Sequence, residues 1–327
     1  MSSTALSETF WMTMDDGARV YVRVWTAREA AGAESGEDAP AAGTARGVLQ
    51  IAHGMAEHIG RYEEFAEYLA ERGFHVVGSD HRGHGRTGER AGLLGHFADE
   101  DGFERVVDDL RAVNDWIAGR WPDLPRFLMG HSMGSLLARR YMQRFGDTID
   151  GAVLMGTPGH PGFIGKFGRW VSKLEVRRRG LRKPNPFLDR VAFFGNNKRI
   201  PNPKTDYDYL TRDEEAVAQY LADPLCGWTA TSGFFVDLLT GLLIVHEDDE
   251  VGKIPKEMPV LFVNGSEDPI GDYGKGVAGI IAQFRRHGIR DVESILFEGA
   301  RHEPLHEINK EEAYEAIREW LERKAAS

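Results

Sequence analysis

The stretch Phe127–Leu137, FLMGHSMGSLL, sets one serine between two glycines in Gly130-His131-Ser132-Met133-Gly134. An apolar run precedes the serine and a helix-spaced amphipathic run follows it. In that context G-x-S-x-G forms a nucleophile elbow. A strand-to-helix turn this sharp strains the central residue. The residues two positions either side come too close to carry a Cβ, hence glycine. The serine oxygen then stands at a helix N-terminus, whose dipole favours nearby negative charge. A hydroxyl is still a poor nucleophile until a base takes its proton and a third group orients that base.

In folds that use this elbow the chain order is serine, acid, histidine. Two later apolar runs end in suitable groups. LFVNGSEDP (261–269) ends in carboxylates, and Asp268 is assigned as the acid with Glu267 as its alternative. FEGARHE (297–303) ends in a histidine, and His302 is assigned as the general base, with His306 as its competitor. An oxyanion hole needs the backbone N–H of the residue after the serine, Met133, and a second from the loop after the third strand. That loop is HGMAEH (53–58), where Met55 is the expected donor, Gly54 permits a close approach and His53 braces the turn. The chemistry is acyl transfer at a carbonyl. His81/His84 and His302/His306 have metal-like spacing but no third ligand beside them in sequence, so no metal and no cofactor is expected. Asp80 and Arg82 are read as holding the loop after the fourth strand. Cys226 is read as a small buried hydrophobe, with a reactive thiol near the pocket as the alternative.

Elements that can hold such groups alternate along the chain. Residues 9–27 read as a β-hairpin turning at Asp15-Asp16-Gly17. Strands are expected at 47–53, 74–79, 126–130, 152–155, 259–264 and 294–297, and helices at 62–72, 103–117, 133–145, 275–286 and 310–324. Apolar strands alternating with helices indicate an α/β protein with a mostly parallel sheet covered on both faces. The alternation stops over 160–251, which reads as a helical insertion (a cap), leaving 1–159 and 252–327 as the core. The Ala-, Gly- and acid-rich segment Arg28 to Arg46 reads as an exposed loop between strands.

A net charge of -11 excludes a general nucleic-acid binder. One cysteine in 327 residues excludes an intramolecular disulfide framework and suits a reducing, cytoplasmic compartment. MSSTALSETFWMTMDDG has no basic stretch followed by an apolar one, so no secretory signal is read there. No run approaches the roughly 18 apolar residues of a membrane span.

Taken together, HGMAEHIGRY (53–62), SDHRGHGRTG (79–88), GHSMG (130–134), NGSEDP (264–269) and GARHEPLHE (299–307) resemble the monoacylglycerol lipase and lysophospholipase-like branch of the α/β-hydrolases. TRDEEAVAQYLADPLCG (211–227) is similar to the cap of bacterial members. The resemblance implies a mobile cap over an acyl pocket, a triad of Ser132, Asp268 and His302, no cofactor, and a single-chain lipid ester as substrate. Pro269-Ile270-Gly271-Asp272 departs from the pattern directly after the proposed acid. A short-chain carboxylesterase or thioesterase is the alternative reading, and a non-catalytic ligand-binding member of the fold is the alternative from another class.

Between Lys166 and Lys204 stand twelve basic residues and two acidic ones. Phe163, Phe167, Trp170 and Leu174 recur on one helical face there. Phe163, Phe167 and Trp170 are candidate substrate contacts, with Gly54. The stripe either packs on the core, with its charges solvated, or faces outward beside the basic residues, as in a helix that lies on an anionic lipid surface.

Overall fold

The computed structural model describes residues 7–27 and 45–326. The loop expected over 28–46 lies outside them but for its last two residues, as do the first six residues of the N-terminal segment. The strands are β1 (Ser7–Thr13), β2 (Arg19–Trp25), β3 (Gly47–Ala52), β4 (Phe74–Ser79), β5 (Arg126–His131), β6 (Gly151–Met155), β7 (Val260–Gly265) and β8 (Val292–Phe297). They form one sheet in the order β1-β2-β4-β3-β5-β6-β7-β8. The pairs β1–β2 and β2–β4 are antiparallel; the rest are parallel. In the hairpin turn Asp16 accepts from the Ala18 N–H, and Gly17 takes φ +84°, which a side chain resists.

The middle strands are buried end to end, as a two-sided cover requires. Alternate side chains go to opposite faces. From β7, Leu261 and Val263 join one core with Leu49, Val153 and Trp320, while Phe262 joins the other with Leu128, Leu154 and Phe284. Helices α1 (Glu63–Ala70), α2 (Gly85–Ala91), α3 (Gly102–Arg120) and α4 (Met133–Phe145) precede β6. Helices α5 (Gly162–Arg179), α6 (Pro186–Phe193), α7 (Glu214–Ala222), α8 (Ser232–Ile244) and α9 (Asp248–Val251) separate β6 from β7. Helices α10 (Lys275–Arg286) and α11 (Lys310–Ala325) complete the chain. α1 and α11 cover the first core; α3, α4 and α10 cover the second. α2 was not legible, because a glycine opens it, another ends it and no apolar period runs through it.

α8 packs on α3 and α4, and α5 packs on α8. The face α5 turns inward carries small residues. Gly165 and Gly168 stand against Leu243 and Leu239, and Ser172 is buried. The aromatic stripe is therefore left outside. Phe163, Phe167 and Trp170 are 81%, 52% and 56% exposed. Among the described residues no helix is long and apolar enough to cross a membrane.

Candidate active site

β5 ends in His131 and α4 begins at Met133, so Ser132 is the whole connection. It has φ 52° and ψ -117°, a conformation side chains resist. The neighbours hold it there: its N–H donates to the Met155 carbonyl at 2.9 Å, and its carbonyl accepts from Ser135 N at 2.9 Å. A Cβ on Gly130 would collide with the Gly134 carbonyl, and one on Gly134 with the Ala52 carbonyl. Both glycines are thus required by backbone contact. Ser132 stays partly exposed.

Asp268 follows β7 and His302 follows β8. The buried His302 Nδ1 lies 3.0 Å from Asp268 Oδ1, which also accepts from Ile270 N at 2.9 Å. Glu267 is exposed and does not enter this pair. His306 turns elsewhere, with Nε2 3.1 Å from the Arg61 carbonyl. The His302 carbonyl, Nδ1 and Cε1 crowd Gly156, the residue after Met155. Since Ser132 N bonds Met155, the serine and the histidine border the same corner of the sheet. The departure after Asp268 is a tight turn in which Asp272 and Tyr273 both take positive φ, at 49° and 54°.

The carbonyls of Ala52 and His53 lie against Gly134, which brings the loop after β3 to the start of α4. Among the described residues neither the Met55 nor the Met133 N–H donates to a protein acceptor. Two such amides can bind a developing oxyanion. His53 does brace the loop: its Nδ1 lies 2.8 Å from the Gly54 carbonyl, and its Nε2 accepts from His81 N at 3.0 Å. Burial pushes His53 well down, His81 to about 3 and His84 to about 4, so this cluster is neutral at pH 7. Gly54 N donates to Glu57 Oε1 at 2.5 Å.

Residues 43–309 match the family Hydrolase_4, described as serine aminopeptidase, S33. The chain belongs to this family. Its sequence is 30% identical to a monoacylglycerol lipase of Mycolicibacterium smegmatis, over 84% of this chain and 88% of that protein. It is 26% identical to the phospholipase YtpA of Bacillus subtilis, over 83% of this chain and 93% of that protein. A solved carboxyl esterase of Bacillus coagulans superposes with a TM-score of 0.87 at 25% identity, covering 98% of this chain and all of that one. The protein is an α/β-hydrolase of the monoacylglycerol lipase-like kind, and a serine ester hydrolase.

The sequence reading missed a buried ion cluster beneath the site of this hydrolase. Glu57 Oε1 accepts from Tyr62 OH at 2.8 Å and lies 3.2 Å from His131 Nδ1. Arg61 reaches Glu57 Oε2 at 2.5 Å and both oxygens of Glu303 at 2.7 Å. One arginine therefore ties the Gly54 loop, the elbow and the His302 loop together. HGMAEHIGRY contains Glu57 and Arg61, but Glu303 is 242 positions beyond Arg61, and spacing cannot reveal that pairing. The inserted segment braces the same loop. His302 N donates to Tyr209 O at 3.2 Å, Glu303 N to Leu210 O at 2.7 Å, and Arg301 to the Asp208 and Thr211 carbonyls. Arg82 pairs with Asp16 and Asp109, and Asp80 accepts from Ile59 N and Arg86 N.

The cluster sets an acid limit on stability. Burial alone would raise Glu303, but the Arg61 charge and its hydrogen bonds outweigh it and hold the carboxyl at about 2 rather than 4.5. A depressed carboxyl contributes stability that is complete above its unfolded pKa and lost as pH falls through the folded one. The urea midpoint of the hydrolase should therefore hold above pH 4.5 and fall steeply between there and about 2.

Proposed function

We propose that the enzyme hydrolyses single-chain lipid esters, monoacylglycerols or lysophospholipids, with Ser132, His302 and Asp268 as its triad. The observation carrying this reading is the buried Asp268–His302 pair beside the strained Ser132 elbow. A carboxylate at Nδ1 favours the tautomer that leaves Nε2 free to take the Ser132 proton. The serine oxygen attacks the ester carbonyl, and the Met55 and Met133 amides hold the oxyanion. His302 then protonates the leaving alcohol. Water, deprotonated by the same imidazole, clears the acyl-enzyme. These steps use side chains and amides alone.

The substrate class rests on the relatives, one named a monoacylglycerol lipase and the other a phospholipase. A p-nitrophenyl ester series from acetate to palmitate tests it. The expected outcome is a rate peak at medium or long chains, with 1-acylglycerol and lysophosphatidylcholine turned over next. A peak at acetate or butyrate would return the reading to a short-chain esterase.

In this reading 160–251 is the cap over the acyl chain, and α5 is its membrane face. The exposed row Phe163, Phe167 and Trp170, stacked at 6.5 and 5.7 Å between ring centroids, supports that assignment. So do Lys166, Arg169 and Arg177–Arg179 on the same helix. Aromatic and basic groups together favour an anionic bilayer. The enzyme is then a cytoplasmic protein working at a membrane surface. It should float with vesicles rich in phosphatidylglycerol and not with pure phosphatidylcholine; equal failure with both would remove the docking step.

A further inference from the structure

Away from the triad, three side chains bearing metal-binding atoms converge. His58 is the last residue of the Met55 loop; Asp223 and Cys226 lie in the turn after α7. His58 Nε2 is 2.8 Å from Asp223 Oδ2, across 165 positions of sequence. One ligand atom from each of His58, Asp223 and Cys226 falls within 4.8 Å of the others. The three line a groove of about 390 Å³ together with Glu63, Glu64 and Glu67. Glu63 and Glu64 pair with Arg23 and Lys310, while Glu67 has no ion-pair partner among the described residues. Arg61 also borders the groove, but its charge is taken up by Glu57 and Glu303. The groove is left with a surplus of carboxylates, which attracts cations.

We propose that His58, Asp223 and Cys226 bind a divalent cation of the zinc class, with the fourth position open to the groove. Imidazole, carboxylate and thiolate are the ligands zinc takes, at about 2.0–2.3 Å. Arms of that length need a small widening of the His58–Asp223 contact, a closing turn of Cys226 and a tautomer switch of His58, whose Nδ1 gives up the bond it accepts from Gly60 N so that Nε2 is free for the metal. A coordinated cation deprotonates a thiol outright, and the proton leaves to solvent. Binding therefore tightens as pH rises.

The site joins two parts of the fold that already touch. The Ala56 carbonyl accepts from Gly227 N at 2.9 Å and from Tyr220 OH at 3.0 Å. A cation held by His58 on one side and Asp223 and Cys226 on the other fastens the 54–58 loop to the 220–227 turn. A ligand that binds only the folded state raises its unfolding temperature.

Cobalt(II) is the probe, because its thiolate bond absorbs in the near ultraviolet. The full chain, freed of metal with a chelator, is titrated with cobalt. The expected result is a thiolate-to-cobalt band saturating at one equivalent and discharged by zinc. Zinc also raises the thermal midpoint by a few degrees. Cys226→Ser abolishes band and shift. Asp223→Asn and His58→Asn, the latter retaining a side chain able to cap the turn at Gly60, each weaken cobalt binding at least tenfold. Absence of the band in the parent protein under excess cobalt overturns the site. So does cobalt affinity unchanged within twofold in both the Asp223 and the His58 variants, since the thiol then binds metal alone. Neither result depends on ester hydrolysis, so the site and the enzyme reading fail separately.

Discussion

Replacing Ser132 by alanine is expected to lower kcat for ester hydrolysis by about 10⁶-fold, the scale on which losing the nucleophile of such a triad acts. With Met55 and Met133 as the proposed oxyanion donors, those amides and binding should leave roughly 10³-fold over water. The thermal midpoint should barely move, because alanine keeps a Cβ and therefore keeps the strain of φ 52° and ψ -117°. Ser132→Gly separates the two effects. It is equally inactive but relieves the strain, and should be more stable than the parent by about 1 kcal/mol or more. Rate measurements on a medium-chain p-nitrophenyl ester, paired with thermal melts, check both. Residual activity of either variant above about a hundredth of the parent rate would mean another group attacks the carbonyl.

Arg61→Met is expected to cost about 3–5 kcal/mol, since it leaves Glu57 and Glu303 buried without their cation. That is a large share of the roughly 5–15 kcal/mol that holds a domain together. The pH dependence should also change sign. In the parent the arginine overcomes burial and depresses both carboxyls, so stability is lost as pH falls toward 2. Without it burial prevails at Glu303, where only the His306 ring still pulls the other way, and raises that pKa above the unfolded one, while Glu57 keeps His131, Tyr62 OH and Gly54 N–H beside it. The Glu303 share of the variant's stability is then lost as pH rises through that raised value. Urea unfolding at neutral pH and near pH 5 reads this directly. A variant that loses less than about 1 kcal/mol and stays most stable at neutral pH would show that the carboxylates have other support. Removing the charges together, with Glu57→Gln and Glu303→Gln added, should recover much of the loss.

What could be read from sequence were the features that backbone geometry demands. Gly130 and Gly134 are needed because their Cβ positions are filled by main-chain carbonyls, so the elbow around Ser132 announces itself in a five-residue word. Asp268 and His302 were legible because each stands in the loop after an apolar run, and from β5 to β8 the strands follow one another across the sheet in chain order. The hairpin was legible because Gly17 needs a positive φ. Features built by tertiary contact were not. Arg61 meets Glu303 only once β8 lies at the far edge of the sheet. The hold of Tyr209 and Leu210 on the His302 loop is made by backbone atoms, which carry no side-chain signal. The aromatic stripe of α5 could equally have packed inward. The outcome was decided by the opposite face, where Gly165, Gly168 and Ser172 let α8 come close, a pattern weaker in sequence than four large apolar residues at helical spacing.

The central claim is that Ser132 is the nucleophile of an enzyme built for single-chain lipid esters. A long-alkyl fluorophosphonate mimics such an ester and becomes bonded to the attacking oxygen, with loss of fluoride. Intact-mass and peptide analysis should find one alkylphosphonyl group per chain, on Ser132, and added 1-acylglycerol should slow its attachment. A group on another residue, no attachment at all, or attachment that 1-acylglycerol leaves unchanged would contradict the account.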